Sequence, residues 1–567
     1  MTSCCALLLC LAGWSSTSLG LDHWRDDVGY TKLIGFLGAS APDGSGVPIS
    51  LVEAPPLGST AYFPDVTHGF FGAATDPLGI AVNFIDGSGG KNKGNSNHAF
   101  DQARRFFGNT TSAAPGANQV TIYEANDYLD NVLNMSGSNT DAPDVQDFRV
   151  QNFSWIGTFA TPNDGTPNPT VSELNSDREA LRRFDYVIDA NNITAVVGLN
   201  NSLSPLPHLL GQSYNSIAVG RSDGVHSTGL TNLVNYGTGR SKPDLVAPEA
   251  STSGATSITS SVATFLHSAD TVLGTDAAKS QTMKAILMTG ATKEGLPTWS
   301  QIDGGGQWRP LDDIYGAGEL NLYNSYLVTL GGQTVGNTST PTPASSYGWD
   351  YQTVQPGAGN ELLYDFVIPS GSSAAELSIV LTWNAKIESP FHTGNPIVAD
   401  LNLELVDDNG ATIDFDINDN LVEGLSASDV DNVEHLYLTD LAAGTYTLKV
   451  SSDDLASEFG LAWRTSTLFD TASADFDEDG DTDGADFLAW QLGYGTLIDA
   501  TRADGDADGD GDVDSDDLAF YYAANPSLAS FISAVPEPAT WSLAIGGLLL
   551  LIALSRRQAG RSRCRVV

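Results

Sequence analysis

The hydrophobic pattern between residues 22 and 330 alternates between short apolar runs and stretches in which apolar residues recur at helical spacing. Short apolar runs bounded by turn residues are typical of buried strands, and helical spacing is typical of amphipathic helices. Strands that alternate with helices form mostly parallel sheets. We therefore predict an α/β domain with strands at 47–52, 120–123, 149–155, 194–199 and 216–219, and helices at 22–37, 99–107, 171–183 and 279–289.

The pattern changes after a linker rich in Thr, Ser, Pro and Gly at 331–346. Beyond it, short alternating strands are separated by Gly, Asn and Asp turns, and no long helical stretch interrupts them. Such spacing is typical of a β-sandwich. We predict this domain at 347–466, with strands that include 377–383, 401–406, 433–438 and 445–450.

At 567 residues the chain is too long for one core and should divide into several domains. The predicted fold class is α/β, a mostly parallel sheet with flanking helices, followed by the β-sandwich and a small all-α calcium-binding module. The predicted boundaries are a signal peptide at 1–20, the α/β domain at 21–330, the linker at 331–346, the sandwich at 347–466, the calcium module at 472–527 and a sorting segment at 535–565.

Charge and cysteine content restrict the partners and the covalent chemistry. The chain has 69 acidic residues against 26 Lys and Arg, a formal net charge of −43, which excludes nucleic acid as a partner and favours cations such as Ca²⁺. Its four cysteines lie in the terminal segments, at Cys4, Cys5, Cys10 and Cys564. If both ends are removed, the mature protein has no disulfide.

Both ends of the chain have the pattern of targeting signals. Residues 4–11 are apolar and small residues follow to Gly20, which favours a secretory signal peptide. At the other end a VPEP motif precedes an apolar run at 541–554 and a basic run at 555–565. This tail resembles the PEP-CTERM sorting signal of bacterial surface proteins. The resemblance implies a protein that is secreted or held at the cell surface or extracellular matrix, with transient membrane anchoring; a plain tail anchor is the alternative.

An acidic motif occurs twice near the C-terminus, 31 residues apart, and its oxygen-bearing residues suit a hard cation. Gly480 and Gly511 occupy position 6 of each 12-residue loop, where a sharp turn is needed. The candidate ligands are Asp475, Asp477, Asp479, Asp481, Asp483 and Asp486 in the first loop, and Asp506, Asp508, Asp510, Asp512, Asp514 and Asp517 in the second, with Asp481 and Asp512 contributing backbone carbonyls. A solvated acidic linker is the alternative. The repeat resembles a type I dockerin, which implies a cohesin-type partner.

One serine has the surroundings of a nucleophile. Segment 242–266 passes from an extended stretch through Pro248 into a helix of small and apolar residues, which puts Ser253 at the helix N-terminus. Unpaired N–H groups there favour a developing oxyanion. The alternative is an ordinary Ser helix cap.

Two further polar residues occupy places from which a side chain can face a cleft. His98 begins a helix after a Gly- and Asn-rich loop, and Glu53 ends an apolar strand. A buried carboxylate at a strand end needs a cationic or hydrogen-bonding partner. Taken singly, the position of His98 favours an exposed helix start and that of Glu53 a solvated strand end.

Read together, these segments resemble the subtilisin-like serine peptidases over roughly residues 33–325. GSGVPISLVEA is similar to the acid strand of that family, NHAFDQARRFFGNTTSAAPGA to its histidine helix, VVGLNNS to its oxyanion segment and KPDLVAP with TSGATSITSSVA to its serine segment. The resemblance implies Glu53 as the acid, His98 as the base, Ser253 as the nucleophile and Asn200 as the oxyanion donor, with Asn201 as the alternative register. It also implies a substrate-binding strand at Ser154, Trp155, Ile156 and Gly157.

The implied activity is serine endopeptidase hydrolysis of a protein or peptide through an acyl-enzyme. The chain departs from the family pattern at five positions around the site: Glu53 for Asp, Phe100 for Thr, Glu249 for Gly, Ser251 for Gly and Ser257 for Pro. The alternative is a non-catalytic surface scaffold of the same fold that is attached through the calcium module.

Overall fold

The structure is a computed structural model that describes residues 23–72, 81–89, 94–159, 171–417, 420–469 and 472–525. The chain forms two compact units, residues 1–470 and 471–567. The predicted signal peptide at 1–20 and the sorting segment at 535–565 lie outside the described residues. Among the residues that are described, no helix has the length and apolar character needed to cross a membrane.

The first unit begins with a parallel sheet and its helices. Its helices are α1 Trp24–Asp27, α2 Tyr30–Leu37, α3 Asn97–Phe107, α4 Ala125–Asp127, α5 Val171–Asn191, α6 Thr252–His267, α7 Ser280–Gly290 and α8 Leu322–Gly331. Its strands are β1 Ile49–Glu53, β2 Asn83–Asp86, β3 Gln119–Glu124, β4 Val150–Phe153, β5 Thr194–Gly198, β6 Ile217–Arg221, β7 Gly229–Leu230, β8 Ser241–Lys242 and β9 Leu245–Ala247.

Seven of these strands form one sheet in the order β2-β3-β1-β4-β5-β6-β9, and every neighbouring pair is parallel. Strands β1, β4 and β5 are buried along their whole length, as expected of central strands covered on both faces. The predicted α/β class with a mostly parallel sheet and flanking helices is confirmed.

Two helices differ from the sequence prediction. The predicted helix at 22–37 is divided into α1 and α2, because Gly29 between them has a φ of +75° and its Cα faces the Cβ of Tyr323. A side chain at Gly29 would meet that Cβ at 2.8 Å. Helix α5 continues to Asn191 rather than stopping at Arg183. Strand β2, which the apolar pattern did not reveal, is a partly exposed edge strand.

The second part of this unit is a β-sandwich. Its strands are β10 Thr342–Pro343, β11 Tyr347–Val354, β12 Leu362–Ile368, β13 Ser372–Trp383, β14 Leu401–Val406, β15 Asp414–Ile417, β16 Asn420–Glu423, β17 Leu425–Ser426, β18 Val433–Leu441, β19 Gly444–Ser452 and β20 Ser457–Phe469. A five-stranded sheet, β10-β12-β19-β14-β17, and a four-stranded sheet, β11-β20-β13-β18, enclose one apolar core that includes Trp383 and Trp463.

The sandwich packs on the helices of the parallel-sheet part. Arg464 of β20 donates to the main-chain oxygens of Thr289 and Ala291 at the end of α7. Thr382 of β13 donates to the main-chain oxygen of Gln281 at the start of the same helix, at 2.6 Å. The last carbonyls of a helix lack partners within the helix, so the bonds from Arg464 satisfy acceptors at the C-terminal end of α7.

The second unit contains two helices, α9 Gly484–Gly493 and α10 Ser515–Ala524, each preceded by an acidic loop. Gly480 and Gly511 have φ values of +97° and +89°, so the sharp turn expected at position 6 of each loop is present. Phe476, Ala507 and Tyr521 form part of a small core between the two loop–helix repeats.

Candidate active site

The candidate catalytic residues meet at the C-terminal edge of the parallel sheet. Glu53 is the last residue of β1, Ser154 follows β4, and Asn200 and Asn201 follow β5. Helices α3 and α6, which bring His98 and Ser253, pack against each other beside these strand ends. Open α/β sheets bind ligands at this edge, because the loops that leave parallel strands gather there.

Glu53 and His98 form a hydrogen-bonded pair. The Nδ1 atom of His98 lies 2.7 Å from Oε2 of Glu53, whose side chain is 1% exposed. The other carboxylate oxygen, Oε1, is buried and has no hydrogen-bond partner among the described residues. The side chain of His98 is 40% exposed, so its ring reaches from the buried carboxylate toward solvent.

The second ring nitrogen of His98 faces Ser253. Its Nε2 atom lies 3.1 Å from Oγ of Ser253, which is the distance of a hydrogen bond. The N-cap of α6 is Ser251, whose Oγ accepts from the N–H of Gly254 at 3.0 Å. The capping role is therefore taken by Ser251, and the hydroxyl of Ser253 is directed at the histidine instead.

The electrostatic environment tunes this pair. Burial favours the neutral imidazole, but the hydrogen bond and the negative charge of Glu53 outweigh it and raise the pKa of His98 above its usual 6.5. Burial raises the pKa of the Glu53 carboxyl, and its hydrogen bond with His98 opposes that rise. A carboxylate on Nδ1 holds the tautomer in which Nε2 can accept the hydroxyl proton of Ser253.

The structure distinguishes the two candidate oxyanion residues by their contacts. Oδ1 of Asn201 accepts from the N–H of Thr252 at 2.8 Å, so this amide is fixed on the first turn of the serine helix. Oδ1 of Asn200 lies 3.4 Å from the hydroxyl of Ser202, and its main chain bonds to Ser227. The side-chain amide that adjoins the N-terminus of α6 therefore belongs to Asn201, which was the alternative register in the sequence analysis.

The predicted substrate strand begins beside the nucleophile. The main-chain oxygen of Ser154 lies 3.2 Å from Oγ of Ser253, and its own hydroxyl lies 3.2 Å from the main-chain oxygen of Ser253. Trp155 is partly buried, Ile156 is exposed, and the oxygen of Gly157 accepts from the N–H of Leu209. The carbonyl group of Gly157 is therefore already hydrogen-bonded within the chain.

A buried carboxylate that the sequence did not single out supports this strand. Asp177 of α5 accepts from the hydroxyl of Thr158 at 2.8 Å and from the N–H of Phe159 at 2.7 Å. Its Oδ2 also lies 2.8 Å from Nδ1 of His208, which precedes Leu209. No sequence signal marked Asp177, because an acid inside a long helix resembles any solvent-facing residue.

Another histidine and another acid of this part of the chain, His68 and Asp86, have partners other than Glu53, His98 and Ser253. His68 is exposed, and its ring packs on Phe70 and on Phe100 of α3. Asp86 ends β2 and accepts from the hydroxyl of Tyr62 at 2.8 Å. Phe100, which stands where the resembled sequence pattern has Thr, therefore packs in an aromatic cluster.

The acidic loops of the second unit bring carboxylates together. Among the described residues, there are four groups of three aspartates in which one carboxylate oxygen of each residue lies within 4.8 Å of the other two. The groups are Asp475, Asp477 and Asp486; Asp481, Asp483 and Asp486; Asp506, Asp508 and Asp517; and Asp512, Asp514 and Asp517. Asp479 and Asp510 lie in the same loops but outside these groups. Oxygen donors at this density fit a hard cation such as Ca²⁺.

Some of these aspartates also cap the helices that follow the loops. Asp483 and Asp514 are the N-caps of α9 and α10, and Asp486 and Asp517 complete a capping box in each. The second loop is the more enclosed, since Asp506 and Asp517 are 1% and 2% exposed. Helix capping and cation binding would therefore use the same carboxylates.

Comparison with known proteins gives structural similarity only. No family model matches the chain, and no curated protein matches it. Among solved structures, the chain is similar to the patellamide maturation protease PatA, at 16% identity over 52% of this chain and 99% of that one, with a TM-score of 0.32. It is also similar to a lanthipeptide protease, at 13% identity over 54% of this chain and 93% of that one, with a TM-score of 0.35. A third similar structure is the serine protease MycP1 of the type VII (ESX-1) secretion system, at 13% identity over 53% of this chain and 87% of that one, with a TM-score of 0.27.

Proposed function

We propose that the first unit is a serine endopeptidase that cleaves peptide bonds through an acyl-enzyme. The observation that carries the proposal is the continuous relay from Glu53 through His98 to Ser253, with contacts of 2.7 and 3.1 Å. A relay of this geometry converts a weak alcohol into a nucleophile, because the base sits on the hydroxyl and the acid orients the base.

In the proposed reaction, Nε2 of His98 takes the proton of Ser253 as Oγ attacks the substrate carbonyl. The imidazolium is stabilised by Glu53 and then gives its proton to the leaving amine. Water, activated by the same nitrogen, hydrolyses the ester and releases the serine. The N–H of Ser253, at the start of α6, is one donor for the oxyanion.

For the second oxyanion donor, the contacts favour Asn201 over Asn200. Because Oδ1 of Asn201 is held on the N–H of Thr252, the Nδ2 group of the same amide is the one that can face a developing oxyanion beside Ser253. The extended substrate would align with residues 154–157, where backbone bonds give affinity. The exposed Ile156 favours apolar contact along that edge.

Labelling with a fluorophosphonate tests the proposal on the full chain. We expect one adduct, mapped to Ser253, that is lost in His98→Ala because the hydroxyl then lacks its base. The matched control is His68→Ala, which removes an exposed histidine that does not contact Ser253. A folded chain that takes no label would contradict the peptidase and leave the non-catalytic scaffold as the better description.

For the second unit we propose binding of two Ca²⁺ ions, one in each acidic loop, which the clustering of carboxylate oxygens supports. A bound ion would neutralise crowded carboxylates and hold each loop on its helix. The cohesin-type partner and sorting to the cell surface remain proposals based on the sequence resemblances.

A further inference from the structure

Helices α3 and α6 meet through a series of polar side chains at regular spacing. His98, Gln102 and Arg105 are at positions i, i+4 and i+7 of α3, so they lie on one face of that helix. On the other side, Ser253 and Ser257 are one helical turn apart on α6, and Glu249 lies in the loop before that helix. The contact between His98 and Ser253 is therefore one of several polar contacts across the same interface.

The first neighbouring contact is between Gln102 and Ser257. The hydroxyl of Ser257 lies 2.9 Å from Oε1 of Gln102 and 3.0 Å from the main-chain oxygen of Ser253. Both side chains are buried. Ser257 therefore connects the histidine helix directly to the backbone of the candidate nucleophile.

The second neighbouring contact is an ion pair between Arg105 and Glu249. Nε of Arg105 lies 2.6 Å from Oε1 of Glu249, and the two side chains are 13% and 11% exposed. Nη1 of Arg105 also donates to the main-chain oxygen of Asp101 within α3. The ion pair thus fixes the loop before Ser253 to the end of the histidine helix.

The charge of Glu249 needs this partner. Its Oε2 is near the first turn of α6, 2.9 Å from where a Cβ on Gly254 would stand. A negative charge near a helix N-terminus is favourable in the resting protein. It would oppose an oxyanion developing at the same end of the helix, so the guanidinium of Arg105 both holds and neutralises it.

We propose that Gln102, Arg105, Glu249 and Ser257 are positioning residues that hold α3 against α6 at the separation needed for proton transfer from Ser253 to His98. This inference rests on the proposed peptidase function. Glu249 and Ser257 are two of the positions at which the sequence departs from the family pattern, where Gly or Pro could not make these bonds. The two departures are compensated by residues of the histidine helix.

The first test compares two hydroxyl deletions on α6 in the full chain. Ser257→Ala removes the contact with Gln102, whereas Thr259→Val removes a buried hydroxyl whose one partner among the described residues is the oxygen of Ala255 within α6. We expect Ser257→Ala to lower the rate of fluorophosphonate labelling by about tenfold or more, since small misplacements of reacting groups are costly. In peptide hydrolysis kcat should fall and KM should stay unchanged. Thr259→Val should label within about twofold of the parent chain.

The second test is a double-mutant cycle on the ion pair. Arg105→Ala leaves the carboxylate of Glu249 unpaired beside the oxyanion position, so it should slow labelling more than Glu249→Gln does. The double variant Arg105→Ala with Glu249→Gln should be faster than Arg105→Ala alone, because the opposing charge is gone. A purely structural role would give losses that add. Thermal unfolding of each variant checks that the fold is kept.

The outcomes separate the two proposals. Labelling of the parent chain at Ser253, together with parent-like rates in folded Ser257→Ala and Arg105→Ala, would overturn the positioning role and leave the peptidase intact. A parent chain that takes no label would remove the peptidase and the positioning role together. If Ser257→Ala does not fold, the cycle on Arg105 and Glu249 decides, since that pair lies nearer the surface.

Discussion

At the scale of single residues, the candidate site contains Glu53, a carboxylate one methylene longer than the Asp of the subtilisin-like peptidases that the sequence resembles. Glu53 is fully buried at the end of a central strand, and its only described side-chain partner is His98. The consequence for the chemistry is a histidine whose pKa burial alone would lower, but which the hydrogen bond and charge of Glu53 help to raise above its usual value.

The first prediction concerns pH. His98 can act as the general base only when its imidazole is neutral. Because Glu53 raises the pKa of His98, kcat/KM should rise with pH through a midpoint above 6.5. Glu53→Gln removes the charge that raises this pKa, and the midpoint should move to lower pH while the rate falls by about 10⁴-fold. The measurement is the pH profile of kcat/KM in both proteins. An unchanged midpoint in Glu53→Gln would contradict the assigned pairing.

The second prediction distinguishes the two asparagines. Asn201→Ala should lower kcat by about 100- to 1,000-fold, the usual loss for one oxyanion donor, with little change in KM. Asn200→Ala should cost less, because Asn200 lies on the Ser202 and Ser227 side of the loop. Steady-state kinetics with a peptide substrate measure both. The reverse order of losses would restore the register that the sequence favoured.

At the scale of elements, the serine segment is anchored by a buried cluster of charges. Asp244, just before β9, contacts Lys242 at 2.7 Å and Lys284 of α7 at 3.0 Å, and it accepts from the N–H of Ala218. Burial opposes ionisation of Asp244, yet the two ammonium groups lower its pKa below the usual value. Through Asp244, the cluster connects β6, β8 and α7.

The third prediction follows from this cluster. Asp244→Asn leaves two buried ammonium groups without their counter-ion and should destabilise the first unit by about 3–5 kcal/mol. The control is Asp223→Asn, which removes the half-exposed partner of Arg221 and should change stability by less than about 1 kcal/mol. Chemical unfolding followed by tryptophan fluorescence compares them. Equal stabilities of the two variants would contradict the anchoring role.

In the parallel sheet, periodicity predicted the central strands and missed the partly exposed edge strand. The apolar runs of β1, β4, β5 and β6 stood out, whereas β2, with its exposed Ile85, did not. Likewise Glu53, His98 and Ser253 were identified because their motifs lie in order along the chain. Asp177, Arg105 and Gln102 were not, because their roles depend on which helix faces which, and that arises only from tertiary packing.

At the scale of the whole molecule, the two compact units are stabilised by different means. The first has extensive apolar cores among its described residues and the buried cations described above. The second has a small core between its repeats and many carboxylates on few residues. Crowded negative charges repel one another, so the stability of this unit should depend on a cation far more than that of the first.

The fourth prediction concerns calcium removal. A chelator should unfold residues 475–526 and leave the α/β part folded, because a ligand present at about 1,000 times its Kd contributes about 4 kcal/mol. Limited proteolysis with and without chelator, followed by mass spectrometry of the fragments, measures the effect. Protease sensitivity of 475–526 that does not change with chelator would contradict it.

A paired substitution locates the ions. Asp517→Asn should reduce the calcium stoichiometry from two to one, since Asp517 belongs to both groups of the second loop. Asp516→Asn, on the exposed first turn of α10, should leave it at two. Calorimetric titration of the full chain provides the count. Loss of an ion in Asp516→Asn alone would reject the assigned ligands.

The bonds from β20 and β13 to both ends of α7 have a consequence for how this protein can be divided or recombined. A chain cut at residue 331 would leave the carbonyls of Thr289 and Ala291 without Arg464, and it would uncover the helix face on which the sandwich rests. Such a fragment would be prone to self-association in solution. Gene fusions and domain exchanges should therefore transfer residues 23–469 as one inseparable piece, with the junction placed near residue 470.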